Sequence, residues 1–531
     1  MNDFVADIFR GKRVALFGLG RSGLSCARAL ARGGAEVMAW DDREAGRAAA
    51  REAGIAVVDL HDVDFAFVDA LVLSPGVPLT HPRPHWTVEK ARRAGIEIIG
   101  DTEIFARQIA GTGAKLVCVT GTNGKSTTTA LIGHVLRSVG LDAVVGGNIG
   151  TAVFDLPPPR HGRIYVIEMS SFQIDLSPTI RPDVAVLLNV TPDHLDRHGS
   201  MENYAAVKAR LFAHMGEGDV AVVSVDDAWC RRAIERVPQG ARRVAISVKE
   251  RLEEGVCAPN GVLEERVEGR TVKGMDLSMA PALRGEHNWQ NACAAWAACR
   301  ALRLDGNIIA AGLRGFPGLA HRMEQLESVA GVAFVNDSKA TNADAAARSL
   351  SSFEDIFWIA GGQAKSGGIE SLKPLFGRVR KAFLIGQDAQ ALAHTLVRAG
   401  VEHEISYDME TAVRAAFEAA KAAREKGAAT RPVVLLAPAC ASFDQYRSFE
   451  ERGEHFRVLV EALRERAGPQ TEGAEHSARD SGLRRHDEEE SRNDEPGGRS
   501  DRMGGIGGRN VERGRADGED AGEEKDTGAR T

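Results

Sequence analysis

Residues 119–129 read VTGTNGKSTTT. They follow the apolar run AKLVCVT (114–120) and lead into TTTALIGHVLRSVG (127–140). A buried strand therefore turns through a glycine loop into a helix. Gly121 and Gly124 let backbone N–H groups close on an anion, and the helix N-terminus adds the positive end of its dipole. Lys125 is placed to reach outer phosphates, and Ser126 or Thr127 to face magnesium. The common phosphate loop, G-x-x-x-x-G-K-[ST], does not fit, because the position five before Gly124 is Val119. The context is that of a nucleotide site, with a shortened spacing that needs a reason.

The same strand-then-helix grammar extends in both directions. Upstream, KRVALFGLG (12–20), AEVMAWDD (35–42) and ALVLSPGV (70–77) read as strands separated by helical stretches. Downstream come IYVIEMS (164–170), VAVLLNV (184–190) and VAVVSVDD (220–227), then FWIAGG, KAFLIG and PVVLLAP in the last third. β-α-β order implies parallel sheets, with ligands at the carboxyl ends of the strands. At 531 residues the chain is too long for one core of ~150 residues. The expectation is an α/β protein of three units, residues 1–110, 111–318 and 319–467, each a parallel sheet.

Residues 468–531 differ from the rest. They hold 17 acidic and 11 basic residues, carry −6 of the formal net charge of −7, and contain no Phe, Tyr or Trp. Such a segment cannot bury enough apolar surface to offset its ordering entropy, so it reads as a disordered tail. Seven scattered cysteines without a C-x-x-C pair argue for reduced thiols and a cytoplasmic setting, against a disulfide frame or zinc site. The N-terminus lacks the pattern of a secretory signal. No uncharged apolar run approaches the ~20 residues that cross a bilayer. A net negative chain without a basic stripe speaks against nucleic acid.

Candidate chemistry sits at predicted strand ends. GLGRSG (18–23) matches G-x-G-x-x-G, with Asp41-Asp42 after the next strand, as in a dinucleotide fold; close helix–strand packing without a ligand is the alternative. Glu168 ends IYVIE and suits magnesium. His194, in TPDHLDRHG (191–199), is a less usual ligand and reads equally as a loop histidine. Lys208, in NYAAVKARLF (203–212), reads by default as a helix-surface lysine. NDSKATN (336–342), GGQAKSGG (361–368) and APACASFDQYRSF (437–449) each follow a strand and combine small residues with a cation or hydroxyls, as anion-binding loops do. Arg322, at the seam of the second and third units, is free to swing onto a phosphate.

GTNGKSTTT, EMSSFQ, NVTPDHLDRHG, YAAVKARLF, GEHNWQNACAA, HRME, NDSKATN, GGQAKSGG and APACASFDQYRSFEERGEHF occur in an order that resembles the Mur ligases over residues 8–466. In that family the phosphate loop has the short form G-T-N-G-K-[ST], which accounts for the spacing. The resemblance implies a Rossmann-like N-terminal domain, a central P-loop ATPase-like domain and a Rossmann-like C-terminal domain. It implies that ATP phosphorylates the terminal carboxylate of a UDP-linked substrate, and that an amino acid's amine attacks the acyl phosphate. The NDSKATN and ACASFDQ loops are most similar to the branch that adds D-glutamate to UDP-N-acetylmuramoyl-L-alanine, a step of peptidoglycan precursor synthesis.

Carried across by motif, Gly121, Thr122, Asn123, Gly124, Lys125, Ser126 and Thr127 hold the ATP phosphates. Ser126 and Glu168 bind a first magnesium ion. His194 and an N-carbamylated Lys208 bind a second. Asn148, Asn291, Arg322, Asp337 and Lys339 contact ATP. Thr341, Lys365, Ser442 and Phe449 form the D-glutamate pocket. Gly20, Arg21, Ser22, Asp42, Arg43, Ser74 and Gly76 bind the uridine diphosphate. Lys125, His194, Lys208 and Arg322 carry the catalysis, and the enzyme is expected to be a monomer. Competing readings are a folylpolyglutamate-type ligase and another Mur-type ligase, although the D-N-P-R motif of the diaminopimelate-adding relative is missing here. An NAD-dependent oxidoreductase would use GLGRSG but leave the phosphate loop idle. A non-catalytic nucleotide-binding protein would not need the third-unit loops.

Overall fold

Nineteen strands fall into three sheets in a computed structural model that describes residues 3–148, 150–365 and 367–467. The charged segment 468–531 lies outside the described residues. The first sheet holds β1 (Arg13–Phe17), β2 (Glu36–Trp40), β3 (Ala70–Leu73) and β4 (Glu97–Ile99) in the order β2-β1-β3-β4. All of its pairs are parallel. The chain leaves β1 to one side for β2 and returns to the other for β3. The carboxyl end of β1 is therefore a topological switch point, where such sheets open a crevice.

The central sheet contains β5 (Lys115–Thr120), β6 (Ala143–Gly147), β7 (Ile164–Glu168), β8 (Val184–Leu187), β9 (Val220–Ser224), β10 (Arg242–Ser247), β11 (Gly255–Cys257), β12 (Val262–Val267) and β13 (Arg270–Asp276). Its order is β13-β12-β11-β10-β9-β8-β5-β7-β6. Side chains alternate across the strands. Leu116, Cys118, Tyr165, Ile167, Ala185 and Leu187 join a core shared with the first sheet. Val117, Val119, Ile164, Val166, Val184 and Val186 pack on the other face with the helices Lys125–Ser138 and Glu286–Ala301. Burial on both faces is why these strands read as unbroken apolar runs.

The third sheet contains β14 (Glu324–Val329), β15 (Val332–Asn336), β16 (Ile356–Gly361), β17 (Val379–Ile385), β18 (His403–Tyr407) and β19 (Val433–Leu436), ordered β14-β15-β19-β16-β17-β18. The fold is thus α/β with three parallel-cored sheets, as expected. The expectation of purely parallel layers needs correction at two edges. β11, β12 and β13 run antiparallel, and so do β14 and β15. The two tight hairpins, β12–β13 and β14–β15, close through two residues at positive φ, Glu268-Gly269 (48°, 73°) and Ala330-Gly331 (49°, 76°). Two left-handed residues give the turn whose twist matches antiparallel strands. All seven cysteines are buried and free, which agrees with the reading that they form no disulfide frame.

Candidate active site

The phosphate loop lies at the switch point of the central sheet. β5 has β7 on one side and β8 on the other, and residues 121–124 bridge it to the helix Lys125–Ser138. Gly124 sits at φ 83°, and a Cβ there would lie 2.3 Å from Asn291 Oδ1; the position therefore tolerates only glycine. No side chain caps the helix, so its first N–H groups remain available to an anion. The loop is held from β8's end: Thr122 N–H donates to Asn189 O (2.8 Å) and Asn123 N–H to Asn189 Oδ1 (2.9 Å). Lys125 Nζ donates to the carbonyls of Gly121 (3.0 Å) and Thr122 (2.8 Å). Burial lowers its pKa, Glu168's charge opposes that, and Arg322's charge adds to it.

Glu168 ends β7 beside the loop, paired in register with Val119. It is 2% exposed. Its Oε1 accepts from Asn148 Nδ2 (2.8 Å), whereas Oε2 is buried without a hydrogen-bond partner among the described residues. A buried carboxylate oxygen with no donor is costly unless a cation faces it, so the site fits a magnesium ion. No cluster of three His, Cys, Asp or Glu suited to a metal occurs among the described residues.

Lys208 is not on a helix surface. It is 1% exposed, and its Nζ donates to Gly121 O (3.0 Å) and Thr120 Oγ1 (3.5 Å). Burial, aided by the charge of Lys125, holds its pKa well below the usual lysine range. His194 is half-exposed at φ 52°, with Nε2 3.4 Å from Asp193 Oδ2. Four residues on, buried His198 stacks on Phe172 and bonds Ser171 Oγ through Nε2 (2.8 Å). Burial lowers its pKa to about 4, and the charges of Lys208 and His194 act in the same direction.

A cavity of about 540 Å³ joins the central and third sheets. It is lined by Thr122 to Thr127, Asn148, Glu168 and Asn291 from one, and by Arg322, Asp337, Lys339 and Thr341 from the other. Burial lowers the pKa of Arg322, against the pull of Glu168 and Asp337; burial likewise lowers that of Lys339, with Arg322's charge adding to it. Burial raises that of Asp337, which bonds Ser349 Oγ and Met323 N–H. Gly121 and Lys208 pack behind the loop and do not line this cavity.

The other predicted residues lie apart from it. Exposed Lys365 and buried Ser442 do not line the cavity. Phe449 begins the last helix, with its ring 3.9 Å from Lys339 Nζ. Arg452, absent from the sequence expectations, ties these loops together. It is 1% exposed and donates to Ser338 O (2.8 Å), Ser338 Oγ (3.0 Å) and Cys440 O (3.2 Å).

The first-sheet residues form a separate crevice. Gly18 and Ser74 close it from β1 and β3, so tightly that a Cβ on Gly18 would lie 2.4 Å from Ser74 Cβ. Ser22 lines its floor, and Gly20 opens the helix Arg21–Arg32 without a side-chain cap. Asp41 is consumed internally, accepting from Leu19 N–H (2.7 Å) and Arg43 N–H (2.9 Å). Asp42 is left outward, 3.6 Å from His85, and Arg21, Arg43 and Gly76 are exposed. Arg197 bridges the two regions, donating to Gly76 O and Val77 O at 3.0 Å each. Sequence reading also missed Asn189, Gln290, His287 and Arg348 as cavity-lining residues.

A phosphate loop, a buried carboxylate with a free oxygen and cations delivered from another sheet define a three-domain enzyme of the phosphate-loop class. The chain matches the MurD-like N-terminal domain of Mur ligases over residues 12–100, the Mur ligase middle domain over 119–299 and the glutamate ligase domain over 321–440. It belongs to the Mur ligase family. It is 51% identical over 461 residues to UDP-N-acetylmuramoylalanine–D-glutamate ligase of Caulobacter vibrioides, covering 86% of this chain and 97% of that one. It is 54% identical over 458 residues to the ligase of the same name from Nitrobacter hamburgensis, with the same coverage. In fold it is similar to the UDP-N-acetylmuramate–alanine ligase MurC of Thermotoga maritima (TM-score 0.52, 18% identity, 85% of this chain and 99% of that one).

Proposed function

We propose that this chain is an ATP-dependent ligase that joins D-glutamate to UDP-N-acetylmuramoyl-L-alanine in peptidoglycan precursor synthesis. The observation that carries the chemistry is the shared cavity, in which Lys125, Glu168, Arg322 and Lys339 converge from two sheets. The relatives' common name over 97% of their length narrows the substrates.

In this reading Gly121 to Thr127 bind the ATP phosphates, with Asn148, Asn291, Asp337 and Lys339 completing the nucleotide site. The substrate carboxylate attacks the γ-phosphorus, ADP leaves, and an acyl phosphate forms. Lys125 and Arg322 offset the repulsion between two anions, which is the main task in such a transfer. The neutral amine of D-glutamate, held by Thr341, Lys365, Ser442 and Phe449, then attacks the acyl carbon and inorganic phosphate departs. Ser126 and Glu168 would hold a magnesium ion and His194 with Lys208 a second, which would supply further charge compensation. Lys208 suits its part because burial, aided by the charge of Lys125, lowers the pKa of its amine and so favours the neutral form. A neutral amine can add to carbon dioxide, losing a proton and gaining an anionic carbamate. Gly20, Arg21, Ser22, Asp42, Arg43, Ser74 and Gly76 hold the uridine diphosphate. The enzyme works as a cytoplasmic monomer; no helix among the described residues is long and apolar enough to cross a membrane.

The test is phosphate release from ATP with UDP-N-acetylmuramoyl-L-alanine and each of D-Glu, L-Glu and L-Lys. Turnover is expected with D-Glu alone. Turnover with L-Lys or with folate substrates, and none with D-Glu, would overturn the assignment.

A further inference from the structure

Two side chains far apart in sequence, Asn189 and Gln290, link the phosphate loop to an aspartate outside the cavity. Asn189 grips the backbone of Asn123 at both ends: Oδ1 accepts the Asn123 N–H (2.9 Å) and Nδ2 donates to Asn123 O (3.2 Å). Asn189 Nδ2 also donates to Gln290 Oε1 (2.8 Å). Gln290 Nε2 in turn donates to Asp226 Oδ2 (3.2 Å) and Ser224 Oγ (3.1 Å). Asp226, just past β9, does not line the cavity.

The polarity of this chain is set at both ends by groups that cannot reverse. A carboxylate only accepts, so the end of Gln290 facing Asp226 is its NH2. Its oxygen then faces Asn189 and requires an NH2 there. The remaining oxygen of Asn189 meets a backbone N–H, which only donates. We infer that Asp226 is a positioning residue for nucleotide binding. It orients Gln290, and through it the Asn189 amide that clamps the phosphate loop.

Asp226→Asn inverts one link. Ser247 Oγ accepts from the Lys249 and Glu250 N–H groups (3.1 and 3.0 Å) and therefore gives its own proton to Asp226 Oδ1 (2.6 Å). An asparagine at 226 keeps its oxygen toward Ser247 and turns its NH2 to Gln290. Two NH2 groups then face each other, and relief by flipping Gln290 passes the mismatch to Asn189 and the loop. Gln290→Glu creates the opposite conflict, two carboxylates face to face. The double variant Asp226→Asn/Gln290→Glu restores the pairing from 226 through 290 to Asn189, while the Val248 N–H, which reaches both Asp226 oxygens (3.1 Å to Oδ2, 3.3 Å to Oδ1), keeps only Oδ1.

The inference rests on residues 121–126 being the ATP phosphate loop. Lys125→Ala is measured alongside, and unchanged ATP binding in it would fail that reading separately. The readouts are KM for ATP, KM for D-glutamate and melting temperature. Each single variant is expected to raise the ATP KM about tenfold, equivalent to ~1.4 kcal/mol, and to leave the D-glutamate KM within about a factor of two. The double variant is expected to have an ATP KM well below the product of the two single effects, with the added carboxylate at the cavity keeping it above wild type. Single variants with unchanged ATP KM would overturn the inference, as would parallel rises in both KM values. So would a double variant as weak as the two singles multiplied. If a single variant does not fold, the double is compared with the other single, a lower ATP KM in the double supporting the relay and an equal or higher one refuting it.

Discussion

Replacing Lys208 separates two accounts of one side chain. A lysine on a helix surface can be lost for less than ~0.5 kcal/mol, and turnover would stay within about a factor of two. Here the amine end is buried against Gly121 O and near Lys125. If its carbamate holds a metal ion, its loss should exceed that of an outer-shell partner, which costs roughly 10–100-fold. We therefore expect Lys208→Ala to lose about 100-fold or more in kcat, or ~2.7 kcal/mol. Short-chain carboxylates such as acetate should partly restore it, by supplying oxygens in the vacated space. Stability should move the other way. Lys208's lowered pKa means the unfolded chain binds a proton that the folded chain does not, from the depressed value up to the ordinary lysine range. Folding stability from this group is therefore reduced at neutral pH and recovers as pH rises. In carbon dioxide-depleted buffer, Lys208→Met, which keeps the volume and drops the charge, should melt no lower than wild type at pH 7. Its advantage should shrink toward alkaline pH. A wild-type rate for Lys208→Ala in the phosphate-release assay would refute the reasoning. A dead variant that no small acid rescues would refute the carbamate.

Glu168→Gln removes the free anionic oxygen, so the magnesium concentration for half-maximal rate should rise about tenfold or more; an unshifted magnesium titration would count against that site. Gly124→Ala places a methyl 2.3 Å from Asn291 Oδ1 at φ 83°, so ATP affinity by fluorescence titration should fall, with a left-handed backbone penalty of ~1–2 kcal/mol alone. His198, held at about 4 by burial, binds fewer protons folded than unfolded. Stability should thus fall as pH drops from the imidazole range toward 4, and the melting temperature of His198→Gln should depend less on pH there. UDP, and not NAD, should compete with the UDP-linked substrate for the crevice at Gly18 and Ser74; tight NAD binding would favour a dinucleotide site.

The parallel core was legible because burial on both faces leaves unbroken apolar runs such as KLVCVT, and the phosphate loop because strand, glycines and helix are contiguous. The hairpins were not read. Their turns, Glu268-Gly269 and Ala330-Gly331, each put a residue other than glycine at positive φ. Lys208 carried a signal that was overlooked. Tyr204, Ala205, Lys208 and Ala209 are the buried positions of its helix, and this i, i+1, i+4, i+5 spacing marks one face. The relay through Asn189 and Gln290, 101 positions apart, leaves no trace in local periodicity. Arg452 likewise reaches a loop 114 positions away.

The charges of the cavity explain why these distant elements act together. Lys125 belongs to the central sheet, and Arg322 and Lys339 to the seam and loops of the third. Arg322 lowers the pKa of both lysines, and Lys125 lowers that of Lys339. The cations thus repel one another across the cavity, with Glu168 and Asp337 as the carboxylates that attract Arg322 most. Repulsion between like charges in a partly desolvated space exceeds that in water, and it opposes approach of the two units. A polyphosphate lying between them reverses the sign, since each cation then faces an anion. On the proposed mechanism, the nucleotide's own charge would favour closure around ATP, and a closed cavity would keep water from an acyl phosphate. The electrostatics that favour nucleotide binding would therefore, on this mechanism, also shield the intermediate.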